Sequence, residues 1–323
     1  MDHFKNYPMP AIRAEAHFGD RVVRCFADRP QSFHAMFEAA AANRADREAM
    51  VFEGRRWTYR ALDADVGRVA AGLAARGIGR GDRVALLLGN LPEFIFTLYA
   101  VQRLGAVAVP VSVREQKPGL EYILKQCGAK LVIHEAALGA RVPDRAACPA
   151  LLARIAVDDG LPLPDTGHPV ASSDAASEDF TALLRHGSLD QASAVDPEDT
   201  ALILYTSGTT GRPKGAMLTH LNIVHSVMHF ETCMRLGSDE RSALAVPASH
   251  VTGLIAIIAT MLRVGGTLLV LRQFKAADYI AQAAAERVTQ TILVPAMYNL
   301  ILLQPEFEQI GRASCRERVC LAV

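Results

Sequence analysis

The 323 residues carry 34 Lys and Arg against 34 Asp and Glu, and half of them are hydrophobic. Such a chain can bury a sizeable core in one large or two ordinary domains, and its zero formal charge excludes a broad basic field for nucleic acid or an anionic membrane. No run of about 18 apolar residues occurs, so stable membrane insertion is not expected.

The start, Met1-Asp2-His3-Phe4-Lys5, lacks the basic-then-apolar order of a secretory leader, which makes a cytoplasmic location the default expectation. Six cysteines stand far apart, at Cys25, Cys127, Cys148, Cys233, Cys315 and Cys320, with no CxxC pair. They read as reduced thiols, mostly buried. Small molecules are the expected partners.

Spacing predicts amphipathic helices over Ser32 to Asn43 and Thr58 to Arg76, the second with Leu62, Val66, Val69 and Leu73 on one face and Gly77 closing it. Arg83 to Leu88 is a continuous apolar strand, Pro92 opens a helix, and Gly105 stops it before a strand over Ala106 to Val111. The alternation continues with a helix at Pro118 to Gln126 and strands at Lys130 to His134 and Arg154 to Val157. Asp158 to Glu198 is polar and reads as a surface excursion, apart from a short helix at Phe180 to Arg185.

The buried strand Ala201 to Tyr205 follows. After it come a helix at His220 to Met234, a strand at Ala243 to Val246, a helix at Gly253 to Arg263 and a strand at Thr267 to Leu271. Ala276 to Arg287, Thr291 to Val294 and Ala296 to Leu303 extend the same pattern. Strand and helix in turn imply an α/β fold of mostly parallel sheets flanked by helices.

The segment richest in chemistry is Thr206-Ser207-Gly208-Thr209-Thr210-Gly211-Arg212-Pro213-Lys214-Gly215. Gly, Ser and Thr after a strand ordinarily make only a turn. Here three glycines let backbone amides converge on an anion, and four hydroxyls with Lys214 add donors and a positive charge, so phosphate is the natural ligand. The Lys spacing differs from the common phosphate loop, in which Gly-Lys is followed at once by Ser or Thr.

A second candidate is His250, within Val246-Pro247-Ala248-Ser249-His250-Val251-Thr252-Gly253. A lone His beside an apolar helix is more often structural than functional. His220, His225 and His229 are spaced for a helix, but no carboxylate or Cys is in phase with them, and no metal site is expected.

Tyr205 and the decapeptide after it resemble the signature loop of the adenylate-forming superfamily, which includes acyl-CoA synthetases, luciferases and the adenylation domains of peptide synthetases. Trp57-Thr58-Tyr59-Arg60-Ala61-Leu62, Gly81-Asp82-Arg83-Val84, Gly105-Ala106-Val107-Ala108-Val109-Pro110 and Met217-Leu218-Thr219-His220 are similar to its flanking blocks, in its order. The resemblance covers about Ser32 to Phe307. It implies that Thr206, Ser207, Gly208, Thr209, Thr210, Gly211 and Lys214 line the phosphates of ATP, and that His250 lies where the acyl carboxylate and α-phosphate meet. ATP, Mg²⁺ and CoA are the cofactors it implies.

Ser249 departs from the family pattern, which commonly has an aromatic residue before this His. Amino-acid-activating members carry an Asp in this neighbourhood for the substrate ammonium; Ala248, Ser249, Val251 and Thr252 offer none, so a carboxylic acid without an α-amino group is expected. Pro295-Ala296-Met297-Tyr298 is similar to the segment leading toward the adenine and acyl sites. The implied reaction is acyl-adenylate formation followed by thioesterification to CoA. An acyl-AMP ligase, an amino-acid adenylation domain and a catalytically dead nucleotide-binding fragment stay open as alternatives.

The family would continue past Phe307 with an adenine-binding block, a Glu for Mg²⁺, an Asp for ribose and a small C-terminal domain bearing a further lysine. Residues 1–309 are therefore expected to be a partial N-terminal AMP-binding domain, with about 32–215 mainly a first sheet subdomain and 216–309 the start of a second. Ile310 to Val319 reads like one frame of a sequencing-library adaptor, so 310–323 is expected to be a non-native tail.

Overall fold

The computed structural model describes residues 10–158, 177–206 and 212–307. Ser207, Gly208, Thr209, Thr210 and Gly211 of the signature loop, and the segment 310–323, lie outside the described residues. Two sheets carry the molecule, one of seven strands and one of five, with a separate two-stranded hairpin near the N-terminus.

In the seven-stranded sheet the central strands Arg83–Leu87 and Val107–Pro110 pair in parallel, Arg83 opposite Val107 and Leu86 opposite Pro110. Leu131–Glu135 and Ala153–Val157 extend it in parallel on one side, and Thr200–Thr206 joins Val107–Pro110 in parallel on the other. Val84, Ala85, Leu86 and Leu87 are fully buried, as a parallel strand covered on both faces requires.

The covering helices form where the patterning predicts. Ser32 caps Phe33–Asn43 by accepting the Ala35 N–H at 3.1 Å, and Thr58 caps Tyr59–Ala74 by accepting that of Ala61 at 3.2 Å. Leu62, Val66, Val69 and Leu73 of the second helix are all completely buried, each contributing about 1.5–3 kcal/mol. Gly77 follows at φ +79°, a left-handed conformation that ends the helix.

The five-stranded sheet is built from Arg241–Leu244, Thr267–Val270 and Gln290–Thr291 in parallel, together with Glu48–Phe52 and Arg55–Thr58. The last two form a hairpin that comes from far upstream. Glu48–Phe52 lies parallel to Thr267–Val270, with Met50 opposite Leu268, so the second sheet draws strands from both sides of residue 215. Apolar burial drives this pairing: Ala49, Met50, Val51 and Phe52 are all buried.

Two further differences from the sequence pattern bear on function. Lys214–Thr219 is a strand, antiparallel to Thr200–Thr206 at the edge of the first sheet. The helix expected from Gly253 to Arg263 begins as a π-helix over Thr252–Ala259 and becomes α-helical only at Thr260–Val264. Among the described residues no helix is long and apolar enough to cross a membrane.

Candidate active site

The signature loop joins two paired strands. Tyr205 lies opposite Gly215 and Thr206 opposite Lys214, and the Thr206 hydroxyl donates to the Lys214 carbonyl at 3.5 Å. Thr206 and Lys214 thus form the rim of a β-hairpin at the carboxyl end of a parallel strand, the end at which α/β sheets bind ligands. Both residues are exposed, and Lys214 makes no ion pair among the described residues.

Two contacts tie this hairpin to the helix Lys117–Cys127. The Tyr205 hydroxyl donates to the Gln126 side-chain oxygen, and the Arg212 guanidinium lies 5.8 Å from the centre of the Tyr122 ring. Burial, with the neighbouring Cys127 and Tyr122 adding to it, pushes the Tyr205 phenol up, so it stays a protonated donor.

His250 follows Arg241–Leu244 at the carboxyl end of the second sheet. It is exposed, and its Nδ1 accepts the N–H of Thr252 at 3.3 Å. That bond leaves Nε2 as the ring nitrogen available to a ligand. The turn before it is tight: the His250 N–H donates to the Pro247 carbonyl at 3.1 Å, and a Cβ on Gly253 would come within 2.3 Å of that same oxygen. Pro-x-x-His-x-x-Gly is therefore one compact structure whose last position has no room for a side chain unless the turn shifts.

Asn90 brings the two sheets together, and sequence reasoning missed it. It follows the strand Arg83–Leu87, and its Nδ2 donates to the carbonyls of Leu244, Val246 and Leu271 at 3.3, 3.1 and 3.0 Å. Its Oδ1 accepts the Ala248 N–H at 2.8 Å. Beside it the Gly89 N–H donates to Glu135 Oε1 at 2.6 Å. A Gly-Asn pair at the end of a buried parallel strand was the available signal.

Register relates the two halves of the site. Leu202 pairs with Ala108 and Ala108 with Val84. Carried four residues toward the carboxyl ends, Thr206 stands level with Leu88, two strands away, or roughly 10 Å. Asn90 is two residues further along. The hairpin rim and the His250 turn therefore belong to the same carboxyl-end region.

Other candidate residues are accounted for locally. Leu254, Ile255, Ile257, Ile258 and Met261 are buried in the main core. The Tyr298 hydroxyl donates to the Thr291 carbonyl at 3.4 Å from the helix Pro295–Leu302. His220 Nδ1 accepts the Phe33 N–H at 3.2 Å and serves structure. The donor set of the rim, a lysine ammonium and a threonine hydroxyl, fits an anionic polyphosphate. No carboxylate is bonded to Thr206 or Lys214 among the described residues, so the rim itself offers no anionic ligands for Mg²⁺.

The sequence matches the family model for AMP-binding enzymes over residues 37–321. The chain belongs to the AMP-binding enzyme family. Relatives in this family include a feruloyl-CoA synthase of Amycolatopsis, 35% identical over 83% of this chain and 49% of its own. A long-chain-fatty-acid–CoA ligase of Mycobacterium tuberculosis is 34% identical over 81% of this chain and 49% of its own. The crystal structure of the N-terminal domain of FACL13 from Mycobacterium tuberculosis, bound to an inhibitor, superimposes with a TM-score of 0.71. It is 30% identical, over 88% of this chain and 68% of that one. The chain spans about half the length of the curated AMP-binding relatives it matches. The two mostly parallel sheets are those of the N-terminal domain of adenylate-forming enzymes.

Proposed function

We propose that this chain is the ATP-binding portion of an acyl-CoA ligase that activates a simple carboxylic acid as its acyl adenylate and then transfers the acyl group to CoA. The observation that carries this reading is the Thr206–Lys214 hairpin rim, exposed at the carboxyl end of the first sheet, with His250 fixed by the Asn90 junction at the carboxyl end of the second. ATP supplies an α-phosphorus that a carboxylate oxygen attacks, with pyrophosphate leaving. In the second step the CoA sulfur takes the acyl carbon, AMP leaves and the thiol proton is released.

Each residue has a definite part in this reading. Lys214 neutralises oxygens of the β- and γ-phosphates, and Thr206, with Ser207, Gly208, Thr209, Thr210 and Gly211, supplies hydroxyl and amide donors to them. His250, held by the Thr252 N–H at Nδ1, presents Nε2 to the carboxylate and α-phosphate and orients the two anions. No carboxylate among Ala248, Ser249, Val251 and Thr252 supports a substrate ammonium, which favours an acid without an α-amino group. Mg²⁺ would offset phosphate charge in such a reaction, and its carboxylate ligands would have to come from outside the rim.

We infer further that these residues bind nucleotide without completing the reaction. The 323-residue chain should bind ATP in a calorimetric titration and show no carboxylate-dependent exchange of pyrophosphate into ATP. Exchange at the rate of an intact ligase would overturn the inactive-fragment reading. An extended chain that consumes an amino acid, or one that forms acyl-AMP without consuming CoA, would overturn the ligase reading.

A further inference from the structure

We propose that Glu15, His17 and Cys25, on the N-terminal hairpin, form a binding site for one thiophilic divalent transition-metal ion such as Zn²⁺, apart from the nucleotide site. The hairpin pairs Ile12–His17 with Arg21–Phe26, Glu15 opposite Val23 and Arg13 opposite Cys25. Alternation puts Arg13, Glu15 and His17 on one face, and Cys25 is the diagonal cross-strand neighbour of Glu15 on that face. Their ligand atoms all lie within 4.8 Å of one another. A tetrahedral ion with bonds of about 2.0–2.3 Å sets its ligand atoms roughly 3.3–3.8 Å apart, so the widest separation here would need to close by only about 1 Å.

The donors are chemically suited and already oriented. Cys25 is 1% exposed and carries no disulfide, giving a soft sulfur in a dry setting. His17 Nδ1 bonds Glu198 Oε1 at 2.9 Å, the carboxylate–histidine arrangement that turns Nε2 toward a metal. His17 Nε2 bonds Glu15 Oε2 at 3.0 Å. Arg13 and Arg29 hold Glu15 through both oxygens, at 2.6 to 2.7 Å, so the ion replaces only the fourth bond, that from His17.

Protons balance as follows. Both partners of His17 are carboxylates, which accept only, so His17 donates from both nitrogens and is an imidazolium. Metal binding releases its Nε2 proton and the Cys25 thiol proton to solvent, leaving neutral imidazole, thiolate and carboxylate as ligands. Affinity therefore rises with pH. The fourth coordination position is left for water.

The test is titration of the untagged, metal-stripped chain with Co²⁺. The expected result is one ion per chain with a sulfur-to-cobalt charge-transfer band, displaced by Zn²⁺. The band should vanish in Cys25→Ser, persist in Cys233→Ser, and require about tenfold more Co²⁺ in Glu198→Gln. No such band in the unaltered chain, or an undiminished band in Cys25→Ser, would overturn the site. The unaltered chain decides the matter even where a variant fails to fold.

Discussion

The side-chain oxygen of Asn90 accepts the backbone N–H of Ala248 at 2.8 Å, while its amide nitrogen donates to carbonyls at the ends of two strands of the other sheet. One buried carboxamide thus joins the first sheet to the turn that carries His250. Asn90→Ala removes all four bonds; the Leu244 carbonyl keeps the Leu271 N–H at 3.1 Å, but the Ala248 N–H loses the Asn90 oxygen, so the change should destabilise the chain by about 3 kcal/mol. Urea unfolding followed by fluorescence checks this. A loss under about 0.5 kcal/mol, the range of an ordinary surface change, would mean the junction contributes little.

Gly253→Ala should cost about 1–3 kcal/mol, because the added carbon meets the Pro247 carbonyl oxygen at 2.3 Å and either the turn or the π-helix must shift. In an active, extended chain the same change should lower the rate of adenylate formation through His250. Unchanged unfolding and unchanged rate together would show that the turn yields freely.

Lys214→Met should leave stability within about 0.5 kcal/mol, since the side chain is exposed. ATP affinity should fall about tenfold or more, as expected for loss of a charged hydrogen bond to phosphate. Calorimetric titration of both chains provides the check. Equal ATP affinities would remove Lys214 from the proposed phosphate site.

Acid should destabilise the fold below about pH 6.5. Burial, with Arg103 and His220 nearby, lowers His34 to about 3, and burial lowers His220 to about 4. The unfolded chain then binds more protons than the folded one between those values and the ordinary histidine pKa, so stability falls as pH falls through that window. At pH 5 each group costs about 2 kcal/mol. His17 acts in the opposite sense: burial opposes its charge, but Glu15 and Glu198 prevail and raise it, so its stabilisation is full in acid and lost as pH rises through its folded pKa. Unfolding measured from pH 7.5 to 5 should still show a net loss. His220→Asn should flatten that slope, and an unchanged slope would mean that His220 does not titrate on unfolding.

Much of the first sheet was legible from residue order, because each of its central strands is a short apolar run followed by a helix of clear period. Lys214–Thr219 was missed for the converse reason. It is an edge strand beginning Lys-Gly-Ala, largely exposed, and its partner alone defines it. The hairpin Glu48–Thr58 was missed because its strands are short and gain their burial from Thr267–Val270, more than 200 residues away. The π-winding after His250 was equally hidden, since its apolar run suits an α-helix as well.

The family, the alternation of strand and helix, and the residue types gathered in the signature loop and the His250 turn are legible in residue order, because contiguous stretches encode them. The pairing of Thr206 with Lys214 across a hairpin, the anchoring of the His250 turn by Asn90, and the convergence of Glu15, His17 and Cys25 arise only in the folded chain. Those relationships rest on hydrogen bonds and strand register between distant segments. Such pairings leave no periodic mark on the chain, because the free energy that selects them appears only when both partners are buried together.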